Sequence, residues 1–205
     1  MATHPGMTLL VEAVGELGFR KRAGRVFTTS AGDCCGWLGL NTASRAGGSG
    51  QLLINPVVGV RWPDVEEWVA RGRVEKVHPY LPPTCSEPLR YLLPGERRVE
   101  WILGGGSSDR DVVSDIVSAL RTFGVAFIDK MGDLDVLSGA LGAMAFRDQQ
   151  SAYRWPVALL LSGQPDASLE AVAGVRRSLG AREDQAAEDL RMFLDWFQRE
   201  VTAGD

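Results

Sequence analysis

The side chains able to do chemistry are few and scattered. His4 and His78 are the only imidazole bases. A hydrolytic triad needs a nucleophile, such a base, and an acid to orient it. Cys85 follows His78 in a proline-rich stretch, but no Gly-x-Ser-x-Gly elbow accompanies the pair, and His4 stands near the N-terminus. Cys34 and Cys35 are adjacent, no Cys-x-x-Cys occurs, and neither His78 nor Cys85 has a second ligand at finger spacing. No metal and no cofactor are therefore expected. The acidic pairs Glu66-Glu67 and Glu183-Asp184 fall in first turns of expected helices, where the helix dipole alone favours them. Asp129, Asp133 and Asp135 cluster around Lys130 and Gly132 without calcium-loop order.

The best small-ligand candidate is the run Gly104-Gly105-Gly106-Ser107-Ser108-Asp109, a glycine-rich loop that opens a helix after a strand. Free amides in such a loop hold anions. With Arg97 and Arg98 it gives a candidate phosphate site of Arg97, Arg98, Gly105, Gly106, Ser107 and Ser108. Two features oppose this reading. The Gly-x-Gly-x-x-Gly order is absent, and Asp109 and Asp111 would repel a phosphate. Ser108 with Asp111 approximates a capping box. A second basic cluster, Arg20, Lys21, Arg22 and Arg25, surrounds a turn at Ala23-Gly24. It reads either as a sheet edge protected by positive charge or as an anion site.

The elements that would position these residues fall into two halves. Thr8 to Leu17 has helical spacing, with Gly18 suited to the left-handed position beyond its end. Strands are expected from Phe19, over Val26 to Ser30, Trp37 to Thr42 and Leu52 to Val60, and again over Arg97 to Leu103. Pro56 implies a bulge or an exposed edge in the fourth of these. A glycine and serine loop spans Arg45 to Gly50, and a proline-rich irregular stretch spans His78 to Pro94. The latter is where a binding surface is first expected. A helix begins at Pro63, another runs from the Gly104 loop to about Phe123, and Val125 to Asp129 is either a strand or a helical turn. Helices then follow over Leu134 to Met144, Gln150 to Leu161, Leu169 to Leu179 and Glu183 to Val201.

The expected architecture is α+β: an antiparallel meander of about four to six strands with helices on one face and a helical C-terminal segment. An α+β domain over 1–145 and a helical segment over 146–205, packed together as one globule, is the expected division. At 205 residues, 45% hydrophobic and 23% charged, the chain has an ordinary globular balance. A net charge of −4 gives no basic footprint for nucleic acid, and the longest apolar run, Val157 to Leu161, is far too short for a membrane span. No signal peptide is read at the N-terminus, so a cytoplasmic location is expected.

Leu17-Gly18-Phe19-Arg20-Lys21 through Gly24-Arg25-Val26-Phe27 resembles the opening of a widespread bacterial family of small α+β proteins of unknown function. Members carry a leading helix, a Leu-Gly-Phe-x-Lys-x-Gly-x-x-Phe pattern and a meander ending in an apolar strand. Ala23 is a one-residue variation within that pattern, and the resemblance covers about residues 8 to 140. It implies an immunity-like or accessory setting beside bacterial toxins, with no catalytic residues to carry over.

The leading expectation is thus a non-catalytic binding protein that occupies another protein's surface. Trp62, Trp68, Trp101 and Tyr80 are the candidate anchors. The alternatives are an enzyme of small or phosphate-bearing ligands at the Gly104–Asp111 loop, and a homodimer pairing through Leu52 to Val60.

Overall fold

In the computed structural model, which describes residues 4–44, 50–95 and 99–203, the chain is α+β. Its contacts divide it into two compact units: Met1–Val60 with Ser86–Asp129, and Arg61–Cys85 with Lys130–Asp205. Residue 145 lies inside the second unit, between two of its helices.

The first unit is built on the meander. Helix α1 (Pro5–Glu16) starts earlier than the apolar spacing suggested, because Pro5 suits the first turn and the His4 side chain accepts from the Gly6 amide. Gly18, at φ +86°, turns the chain into the sheet. Strands β1 (Arg20–Ala23), β2 (Val26–Ala31), β3 (Cys34–Ser44) and β4 (Leu52–Arg61) follow in sheet order, then β5 (Cys85–Pro88), with β6 (Trp101–Leu103) also paired to β4. Residues Arg45 to Ser49 of the expected glycine and serine loop lie outside the described residues. The β2–β3 register sets Val26 opposite Gly39 and Ala31 opposite Cys34. Alternation buries Phe27, Leu38, Leu40, Ile54, Val58 and Val60.

Strand β4 has β3 on one side and β5 and β6 on the other, so its ladder is taken. Dimer pairing through Leu52 to Val60 is therefore not available, and β1 and β5 end the strand order instead. Pro56 is buried in this interior strand, past the Leu52–Ile54 stretch that β6 pairs, so its missing N–H removes no bond to β6. The irregular centre, expected to be a loop with one turn of structure, holds the one-turn helix α3 (Leu89–Leu92) and, beyond that expectation, the strand β5. Helix α4 (Asp109–Ala119) packs on α1 and β6 and continues through a π-helical turn, Leu120–Gly124, into α5 (Val125–Met131). The ambiguous Val125 to Asp129 run is thus helical.

Cys34 is buried and donates to the Ala31 carbonyl at 3.1 Å. Burial first, then the neighbouring Cys35 and Asp33, pushes its thiol up to about 11 from 9.0. A raised pKa means that the fold holds the proton longer than the unfolded chain does. Its contribution to stability is therefore complete below about pH 9 and lost as pH rises towards about 11. The stability gap between the native chain and Cys34→Ala should narrow between about pH 8 and about pH 10.5 in urea unfolding. A constant gap would show that the thiol does not titrate late.

The second unit joins α2 (Pro63–Gly72) to α6 (Leu134–Met144), α7 (Gln149–Leu161), α8 (Pro165–Leu179) and α9 (Gln185–Ala203). Asp133 caps α6 as its position suggested, accepting from the Asp135 and Val136 amides. Helices α2, α7 and α9 share an aromatic core. Phe193 meets Tyr153 edge-on at 5.0 Å, and Trp68 lies 5.9 Å from Trp196 and 5.7 Å from Phe197. Gly72 lets this core close, since a Cβ there would stand 2.6 Å from Phe193 and nearer still to Trp196.

Candidate functional site

The second unit carries a charged network where a helical core is normally apolar. Arg61 ends the apolar run of β4, Glu66 lies in the first turns of α2, and Arg154 sits mid-way along α7. Their exposures are 2%, 7% and 5%. Glu66 accepts from the Thr84 hydroxyl at 2.8 Å and from Arg154 Nη2 at 3.2 Å, and Arg61 Nη1 lies 3.6 Å from it. Thr84 in turn accepts from the Trp62 amide at 2.9 Å. Arg61 also donates to the carbonyls of Pro82, at 2.5 Å, and of His78, strapping the 78–82 segment down. Arg154 Nε stands 2.9 Å from Glu66 Oε1 but is not aligned to donate a hydrogen bond to it. One carboxylate thus faces two guanidiniums within this network.

A cleft of about 170 Å³ opens over this network. Arg73, Lys76, Val77, His78, Gln150 and the two buried arginines are among the residues that line it. Four cationic side chains (Arg61, Arg73, Lys76, Arg154) meet two carboxylates (Glu66, Glu75), an excess of two positive charges in a chain whose net charge is −4. Low-dielectric walls concentrate such a field and attract anions. Arg73 is held by Glu75 at 2.8 Å and lies 4.8 Å over the Tyr153 ring. Asp148 caps α7, the helix that presents Arg154. Burial raises its carboxyl, but the Ser151 hydroxyl and the Ser151 and Gln150 amides outweigh this and hold it below the usual range.

The cleft's rim is strained. Helix α2 ends in a Schellman motif, with the Glu75 amide on the Ala70 carbonyl at 2.8 Å and the Val74 amide on Arg71 at 3.2 Å. The left-handed position of that motif is normally glycine, yet here it is Val74, at φ +55° and 93% exposed. A β-branched residue is costly there, and it presents an apolar side chain to solvent beside the cationic cleft. Val77, 42% exposed, lines the cleft itself, and Val74 stands in the chain between the lining residues Arg73 and Glu75. Val74→Gly should therefore raise stability by about 1 kcal/mol in thermal or urea unfolding. A destabilised variant would mean that the valine side chain has an intramolecular role.

The residues singled out in the sequence are placed differently. Trp62 and Trp101 are buried, at 7% and 3% exposure. Their indole N–H groups donate to the Met131 carbonyl at 3.1 Å and to Asp115 at 2.6 Å. Neither ring is presented at the surface of the free chain. Trp68 is half-buried in the aromatic core with Arg71 4.2 Å over its ring. Tyr80 is also half-buried, and its ring meets His78 edge-on at 4.6 Å, on the segment that borders the cleft.

Arg97 and Arg98 lie outside the described residues. Gly105, Gly106, Ser107 and Ser108 are exposed, but two of the loop's amides are already engaged: Gly104 and Gly105 donate to the buried Asp109 carboxylate at 2.8 and 3.1 Å. Asp109 takes the place that an anion would occupy. Ser108 precedes α4 without a side-chain cap, so the expected capping box does not form. Among the described residues no group of three or more His, Cys, Asp or Glu side chains could hold a metal, and no helix is long and apolar enough to cross a membrane.

Sequence reading missed the Arg61–Glu66–Arg154 network. A signal was there: Arg61 follows Val57-Val58-Gly59-Val60, and Arg154 stands among Ala152, Tyr153, Trp155, Pro156 and Val157. A cation inside an apolar run demands a buried partner. No family model matches the chain, nor does any curated protein or solved structure.

Proposed function

We propose that the chain is a non-catalytic binding protein, immunity-like or accessory, that holds one partner protein stoichiometrically and receives an acidic group of that partner in the second unit's cleft. One observation carries this reading: a small cationic cleft, floored by buried guanidiniums, beside the strained and exposed Val74. The size favours a side chain over a metabolite, since about 170 Å³ admits a carboxylate group but falls below the roughly 300 Å³ at which drug-sized ligand pockets begin. The surroundings also suit a protein. The exposed valines Val74 and Val77, in the same short segment as Arg73 and Lys76, offer the mixture of apolar contact and steering charge that interfaces use. Backbone strain kept at an exposed apolar position is the kind that accompanies binding.

Affinity capture with native and Val74→Gly chains tests it, because the two effects of that substitution run in opposite directions. The variant should be the more stable protein and the poorer binder. A variant that binds its partner undiminished would remove Val74 from the interface.

A further inference from the structure

The first unit carries a second open site, independent of the cleft. A groove of about 480 Å³ runs along one end of the meander. Arg20 and Arg22 of β1, Thr28 and Ser30 of β2, and Cys35 of β3 line it. The register explains why they meet. Arg20 is opposite Thr28, Ser30 is opposite Cys35, and residues two apart share a face. Arg22 reaches the same floor, donating from Nε to Thr28 Oγ1 at 2.7 Å, a bond that leaves its terminal nitrogens available for another acceptor. Both arginines are exposed, and among the described residues neither is ion-paired. A sheet edge protected by charge needs only scattered cations. Here two of the four converge on a hydroxyl-lined hollow, while Lys21 and Arg25 do not line it.

We propose that this groove binds the phosphoryl group of a small phosphomonoester, with Arg20 and Arg22 gripping the oxyanion and the Thr28 and Ser30 hydroxyls completing its hydrogen bonds. Planar guanidinium forks match a tetrahedral oxyanion, and hydroxyls serve as donors to it. The volume lies within the range of small-molecule sites, so the groove has room for the body of the ligand as well.

Cys35 supplies the readout, because its half-buried thiol lines the groove whereas Cys34 is buried with its thiol pushed up to about 11. The rate of iodoacetamide modification at Cys35 would be followed by peptide mass, with inorganic phosphate, AMP or adenosine at about 10 mM, ten times a millimolar dissociation constant. Phosphate and AMP should slow modification while adenosine does not. Tighter protection by AMP would point to a phosphorylated metabolite, and equal protection to free phosphate. Arg20→Gln and Arg22→Gln should each weaken protection about tenfold, whereas Arg25→Gln leaves it unchanged. The proposal is overturned if neither phosphate nor AMP protects, if adenosine protects as well as AMP, or if Arg25→Gln acts as strongly as Arg22→Gln. None of these readouts involves a protein partner, so failure here leaves the cleft untouched.

Discussion

Replacing Glu66 by alanine should cost the fold about 3–5 kcal/mol, the range for removing one member of a buried ion pair. The reason is what stays behind. Without Glu66 the guanidiniums of Arg61 and Arg154 lose their shared carboxylate in a site at most 5% exposed, and the Thr84 hydroxyl loses its acceptor. Two like charges would then share a poorly solvated region, where each is expensive. The adjacent Glu67 is exposed, and its replacement should fall within about 0.5 kcal/mol of the native chain. Urea unfolding of the two variants separates these outcomes. A Glu66→Ala cost no larger than that of Glu67→Ala would mean that the network is not a closed buried unit. Replacing Arg61, Glu66 and Arg154 together by apolar residues of similar volume should cost far less than the single change. That contrast would show that the charges are held for a purpose other than stability.

The second large effect is on binding. Changing both Arg73 and Lys76 to glutamate turns the cleft's excess of two positive charges into an excess of two negative ones. Affinity for an acidic partner group should fall about 100-fold, mainly through slower association, because like charges set against each other at an interface cost several kcal/mol. The native complex should also weaken with added salt, as a steered encounter does. The cost in stability stays near 1 kcal/mol, since Lys76 is exposed and Arg73 gives up its stacking over Tyr153 and its pair with Glu75. Surface-binding kinetics at two salt concentrations would read both effects.

Much of the architecture was legible because local chemistry set it. Gly18 and Gly24 mark the turns around β1, Asp133 caps α6, and the stripe Ala187, Leu190, Phe193, Leu194, Phe197 describes the buried face of α9. The elements that escaped depend on distant partners. Strand β5 is four residues long and exists through its place beside β4, so no local pattern announces it. The left-handed residue that ends α2 is Val74 and not a glycine, while Gly72 stands where the α9 aromatics press against α2, a placement that only the packed fold reveals.

The site was less legible still. Glu66 reads as a dipole-favoured acid like Glu67, and only the fold brings it to Arg154, 88 positions further along the chain. The tryptophans misled in the opposite direction. Trp62 and Trp101 are large and amphipathic, as interface anchors are, but that same area makes them core when a carbonyl or carboxylate can meet the N–H. The Gly104 loop has the composition of an anion cradle, and its occupant is the chain's own Asp109.

The most direct test is parallel capture from the native host with tagged native protein and the Arg73→Glu/Lys76→Glu variant, followed by one-to-one reconstitution with whatever is recovered. One protein should be recovered, bound stoichiometrically by the native chain through an acidic segment and lost from the variant. A partner retained equally by both proteins, or none on either, would contradict this.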